Sequence, residues 1–178
     1  MINIEINKYF YVMKSAMVCF AIVVLTQKGG AGMAQLVTTF IGVVYPWHHD
    51  QMGHMNVQHY IGMFDGGTWN LFAEIGLTSG WMQENGRGMA AVQQNISYRR
   101  EMTAGDLVEV RSGFLETGTR KVRFVHEMKN RGTGDVTAIA EMTGVMLDTT
   151  ARRSAHLPEE FLDRANGLLV DYDFGHRV

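Results

Sequence analysis

The feature that most constrains the fold is a change of hydrophobic period partway along the chain. From Asn56 to Ile75, the residues Val57, Tyr60, Ile61, Phe64, Leu71, Phe72 and Ile75 fall within an arc of about 120° at 100° per residue. That is one amphipathic helix. Asn56 is suited to cap its start and Gly76 to end it in a left-handed turn. Gly62, Gly66 and Gly67 lie inside it, each at a cost of about 1 kcal/mol relative to Ala, which points to close backbone or ligand approach rather than helicity.

Strand patterns flank this helix. Leu36–Tyr45 is rich in Val, Ile, Thr and Phe and is stopped by Pro46. Four strand-like runs follow the helix. Met89–Tyr98 places Val92, Ile96 and Tyr98 on one face, with Gln93, Asn95 and Ser97 on the other. Leu107–Thr117 follows the turn signal Ala104-Gly105-Asp106. Gly118-Thr119 then separates it from Lys121–Met128, where Val122, Phe124 and Met128 share a face. Gly132-Thr133-Gly134-Asp135 leads into Val136–Asp148. Runs this long imply curved strands. Pro158-Glu-Glu-Phe161 can begin a short helix, with Pro at its first position. The order of strand, long helix and four antiparallel strands predicts an α+β domain with one helix to wrap.

Composition narrows the function classes. The chain has 178 residues, with 16 Lys and Arg against 18 Asp and Glu, so it lacks the basic excess of a phosphate-contacting nucleic-acid binder. Its single cysteine, Cys19, excludes an intramolecular disulfide framework and a cysteine zinc ribbon. Residues 1–32 differ from the remainder. They carry Lys8, Lys14 and Lys28 against Glu5, leaving 13 positive and 17 negative charges for the other 146 residues, a net of −4. The apolar run Ala16–Leu25 is shorter than the roughly 20 residues of a membrane span, but its basic start and small residues at 29–32 have the form of a secretory signal. Residues 1–32 are expected to be an extension dispensable for folding, with a signal peptide or anchor, or a packed element, as the other readings. The domain is then 33–178, expected in the cytoplasm unless that segment exports it.

The chemistry concentrates between Trp47 and Asp65, a window holding four of the seven histidines: His48, His49, His54 and His59. It leads into the central helix, whose first N–H groups are unpaired and carry partial positive charge suited to a carbonyl oxygen or oxyanion. A carboxylate beside them makes a nucleophile or general base for acyl transfer. A metal site is not expected, because adjacent histidines in an extended segment do not converge and a spacing of five is poor for one helix face.

Asp50-Gln-Met-Gly53-His54-Met-Asn56, followed by Tyr60 and Phe64-Asp65, resembles the D-x-x-G-H-x-N helix-entry motif of hot-dog thioesterases, closest to the group of 4-hydroxybenzoyl-CoA thioesterase. Ile96-Ser-Tyr98-Arg99, Gly105-Asp106 and Leu157-Pro158 continue the likeness, over about residues 36–160. The resemblance implies a curved antiparallel sheet wrapped around the helix, active sites at a subunit interface, and a homodimer or homotetramer. It implies an acyl-CoA thioesterase releasing free acid and CoA, with no separate cofactor. Carried over by position, Asp50 is the catalytic carboxylate and the Val57 amide polarises the thioester carbonyl. Gly53 is the small residue of the entry turn, while His54 and Asn56 orient the loop. Asp65 stands where many members carry Glu, so its role is either catalytic or a hydrogen bond to a neighbouring subunit. Tyr60 is a core residue with a second role in the substrate pocket. Arg99 and Arg100 are the cations best placed for CoA phosphates. A silent acyl-CoA binder and a hot-dog hydratase or dehydratase are the alternatives.

Overall fold

A computed structural model of the chain describes residues 34–175, so the expectation for residues 1–32 lies outside it. The elements of the described residues are β1 (Val37–Val43), α1 (Val57–Glu74), α2 (Ser79–Glu84), β2 (Arg87–Tyr98), β3 (Leu107–Thr117), β4 (Lys121–Asn130), β5 (Val136–Asp148), β6 (Arg153–Ser154) and α3 (Glu159–Asn166), with a 3-10 turn at Pro46–His48. All strand pairs are antiparallel, in the order β1-β3-β4-β5-β2, with β6 added to β5. This is the expected α+β hot-dog arrangement.

α1 begins and ends as its sequence dictates. The Asn56 side chain accepts from Gln58 N–H, and Gly76 takes φ +86° just beyond the last turn. The buried face is rotated from the expected arc. Met63, Gly67 and Thr68 join Tyr60, Phe64, Leu71 and Phe72 against the sheet, while Val57 and Ile61 are 52% and 41% exposed. Gly67 explains the rotation, since a β-carbon there would stand 3.1 Å from Thr39 Oγ1 and 3.2 Å from Val110 Cγ1. Its missing side chain lets α1 press against β1 and β3. Phe64, Leu71 and Phe72 then meet Val110, Phe114, Phe124 and Met128 in the main core, with the Phe72 and Phe124 rings edge-to-face at 5.5 Å.

The other face of the sheet carries a smaller cluster, in which the C-terminal segment supplies Val170, Tyr172 and Phe174 against Val125 and Ile139. Two details differ from the sequence expectation. A bulge between Ala91 and Gln93 interrupts the β2 alternation, and Val92 is 61% exposed like its neighbours on this edge strand. The short α2, with Thr78 capping Trp81 N–H at 3.3 Å, was not anticipated.

Candidate functional site

The segment from His48 to Asn56 folds into a closed loop before α1. His49 and Met55 form an isolated antiparallel bridge, Asn56 N–H donates to His48 O at 2.9 Å, and Gly53 N–H donates to Asp50 O at 3.0 Å. Gly53 takes φ +84° with open space around its missing β-carbon, so glycine is required for the turn and not for room. Met55 N–H donates to Met102 O at 2.8 Å and Ala104 N–H donates to His49 Nε2 at 2.8 Å, which ties the loop to the segment between β2 and β3.

Asp50 stands inside this loop with both carboxylate oxygens held. Met52 N–H donates to Oδ1 and Asn56 Nδ2 to Oδ2, each at 2.9 Å. These bonds favour the charged form, so the carboxyl is held below its ordinary value, first by Met52 and then by Asn56. Asn56 links the acid to the helix, because its own side-chain oxygen accepts Gln58 N–H at 3.0 Å and its carbonyl accepts His59 N–H. Among the described residues, none pairs with the Val57 N–H, which is left at the positive end of α1.

A recess of about 220 Å³ lies beside the helix start and brings together His54, Val57, Tyr60, Arg99 and Arg100, joined by Tyr98 and Glu101. His54 Nε2 is 3.5 Å from Glu101 Oε1. Tyr60 is buried, donates to Arg100 O at 3.3 Å and meets Tyr98 edge-to-face at 5.2 Å. Burial raises the Tyr60 hydroxyl above its usual pKa. Arg100 pairs loosely with Asp135 at 3.6 Å, and Arg99 donates to the Phe174 carbonyl. Asp50, Gly53 and Asn56 lie in the adjoining loop rather than in the walls of the recess. Asp65 projects to solvent from the exposed side of α1.

Several neighbours of the helix start were not singled out by sequence as a site. A second groove, of about 420 Å³, runs between β1 and α1 past Phe40, Tyr45, His48, Gln58, His59 and Gly62. His48 and His59 stack at 4.3 Å instead of facing a common centre, and no group of three or more His, Cys, Asp or Glu side chains among the described residues is placed to hold a metal. Beneath α1, His126 is fully buried, with Nδ1 2.5 Å from Ser112 Oγ and Nε2 2.9 Å from Thr68 Oγ1. Burial drives its pKa down to about 3, so it is neutral. The inward parity of Val122, Phe124 and Met128 passes through position 126, a signal that could have identified this polar residue in the core.

The sequence profile of the thioesterase-like superfamily matches residues 44–165. A betainyl-CoA thioesterase of Pseudomonas aeruginosa is 28% identical over 136 residues, covering 76% of this chain and 86% of that one. A Staphylococcus aureus protein solved in complex with CoA superposes with a TM-score of 0.74 at 17% identity, over 84% of this chain and 98% of that one. A 1,4-dihydroxy-2-naphthoyl-CoA thioesterase from Synechocystis does so with a TM-score of 0.65 at 15% identity, over 74% and 96%. The match begins just after β1 and runs through the Asp50 loop, the central helix and strands β2 to β6, and the chain belongs to the thioesterase-like superfamily, a family of thioester hydrolases.

Proposed function

We propose that this thioesterase hydrolyses an acyl-CoA to the free acid and CoA at the start of α1. The observation that carries the reading is Asp50: an ionised carboxylate fixed by Met52 and Asn56, in the loop that also ends in the unpaired Val57 N–H. The thioester carbonyl oxygen is placed at Val57 N–H, which stabilises the oxyanion as the carbon is attacked. Arg99 and Arg100, on the wall of the adjoining recess, receive the CoA phosphates. His54 and Asn56 orient the loop and Gly53 shapes its turn.

Asp50 has two available roles. As a nucleophile it attacks the carbonyl carbon, CoA leaves as the thiol after protonation, and water cleaves the resulting anhydride. As a general base it takes a proton from the water that attacks directly. The lowered pKa keeps the carboxylate ionised at neutral pH and so available for either role. Single turnover in ¹⁸O-water tests them: ¹⁸O in the Asp50 carboxyl shows the nucleophilic route with water attacking the Asp50 carbon of the anhydride, a label that the general-base route never leaves.

A homodimer completes the reading. β2 is a 12-residue strand at the end of the sheet order, largely exposed, and the outer side of α1 presents Ile61, Asp65 and Trp69 to solvent. A second copy covers that edge and gives Asp65 a partner or substrate across the interface. Pairing of two such dimers gives a tetramer. Sedimentation as a monomer at micromolar concentration would exclude this interface.

The overall test is thiol release from a panel of acyl-CoA esters. Betainyl-CoA belongs in it because of the relative from Pseudomonas aeruginosa. Retained CoA binding without release of thiol from any ester would make the protein a silent binder.

A further inference from the structure

The groove between β1 and α1 has an unusual lining. It is large enough for a small ligand, about 420 Å³, yet none of its lining residues carries a carboxylate, an ammonium or a guanidinium. Four of its ten lining residues carry rings: Phe40, Tyr45, His48 and His59. The Tyr45 and His48 rings meet at 82° with centroids 5.6 Å apart, and His48 stacks on His59 at 4.3 Å. Trp47 lies parallel to Tyr45 at 4.4 Å and remains 70% exposed, extending this aromatic wall into solvent.

The imidazole of His48 is part of the wall in its neutral form. Its Nδ1 accepts the Tyr45 N–H at 3.2 Å, and burial, followed by the proximity of His59 and His49, disfavours a charge on it. Gly62 leaves the helix side of the groove open, since a β-carbon there meets nothing within 4 Å. The groove also adjoins the catalytic loop. His48 O accepts Asn56 N–H, and Gln58, another lining residue, is capped by the same Asn56 that holds Asp50. The helix start therefore has a cationic recess on one side and an aromatic, uncharged groove on the other.

We propose that this groove is the acyl subsite and that it takes an acyl group ending in a quaternary ammonium, held against the rings of Tyr45, His48 and His59. The proposal deepens the thioesterase reading and rests on it. A quaternary ammonium donates no hydrogen bond and is weakly hydrated, so ring faces hold it without a carboxylate partner. The neutral His48 imidazole does not repel it. The net charge of −4 on residues 33–178 adds a favourable field. A long alkyl chain fits less well, because an open groove leaves much of it in water.

The test compares betainyl-CoA with 3,3-dimethylbutanoyl-CoA, which has the same shape with carbon in place of the charged nitrogen. Wild type is expected to favour the cationic ester in kcat/KM by about tenfold, the range of a few cation–π contacts. Tyr45→Leu and His59→Leu should reduce that ratio several-fold, Tyr45→Phe should retain it, and Gly62→Leu should raise KM for both esters by filling the groove. A wild-type ratio of one or less overturns the proposal, as does an unchanged ratio in Tyr45→Leu and His59→Leu. If neither ester is hydrolysed, the thioesterase reading fails, and calorimetric binding of the two esters decides the subsite separately. Tighter binding of the cationic ester that is lost in Tyr45→Leu supports it, and equal binding overturns it.

Discussion

Asn56 holds Asp50 and caps the central helix with the same side chain: its Nδ2 donates to Asp50 Oδ2 at 2.9 Å while its Oδ1 accepts Gln58 N–H at 3.0 Å. The position of the acid is thus fixed relative to the helix N-terminus through one amide. Asn56→Ala should cost about 0.5–2 kcal/mol of stability by loss of the cap and should also lower kcat as Asp50 loses its anchor. Chemical denaturation and steady-state kinetics measure the two effects. A stability loss with unchanged kcat would show that the cap does not position Asp50.

Asp50→Asn removes the charge and keeps the size. Turnover should fall by about 10²–10⁴-fold or more, the range of general acid–base catalysis. Thermal stability should fall modestly, because the amide offers one acceptor oxygen to the two donors Met52 N–H and Asn56 Nδ2. Asp65→Asn should cause a smaller loss. Near-normal turnover in Asp50→Asn together with an inactive Asp65→Asn would transfer the chemistry to the helix acid.

The pH profile follows from the direction of the Asp50 shift. Its carboxyl titrates below the ordinary 3.8, so it remains the carboxylate throughout the neutral and mildly acidic range, and the acid limb of kcat/KM attributable to it should lie below pH 4. Removing the Asn56 donor should move that limb upward. An acid limb centred near pH 6 in wild type would assign it to another group.

His126 should set an acid-stability slope. Its folded pKa of about 3 lies below the unfolded 6.5, so the stability is fully present above pH 6.5. Below that, the unfolded chain binds a proton that the folded protein does not, and stability falls as pH falls toward 3, by at most about 1.4 kcal/mol per pH unit. His126→Gln should weaken the fold at pH 7, because the contacts to Ser112 and Thr68 are remade imperfectly, but should flatten this slope by one proton. Urea unfolding at several pH values between 4 and 7 tests it.

Two glycines of α1 should respond oppositely to alanine. Gly62→Ala adds a methyl in open space and should gain up to about 1 kcal/mol from helix propensity. Gly67→Ala brings a methyl within 3.2 Å of the fully buried Val110 and should cost about 1–3 kcal/mol net of that gain. Thermal melts of the two variants should therefore move in opposite directions.

A chain beginning at Met33 is expected to fold and retain thioesterase activity. Ala34 N–H already donates to Leu169 O at 3.0 Å, and Leu36 packs on the outer cluster with Val170. Precipitation of the shorter chain would make residues 1–32 a structural element.

The sequence by itself determined the local order. The helix from Val57, its Asn56 cap, its end at Gly76 and the turns between β3, β4 and β5 all follow from short-range rules of period, capping and glycine conformation. The Asp50–Asn56 motif was likewise legible, because its hydrogen bonds close within seven residues. Tertiary structure decided which faces these elements present and what they meet. The edge position of β2 left Val92 exposed, and the close approach at Gly67 turned Met63 inward and Ile61 outward. The recess joining His54 to Arg99 and the ring-walled groove joining Tyr45 to His59 depend on packing between segments far apart in the chain or on opposite sides of a loop. His126 is the clearest case. Its neutral, buried state depends on Ser112, Thr68 and the low-dielectric core around them, and only the assembled core brings these groups together.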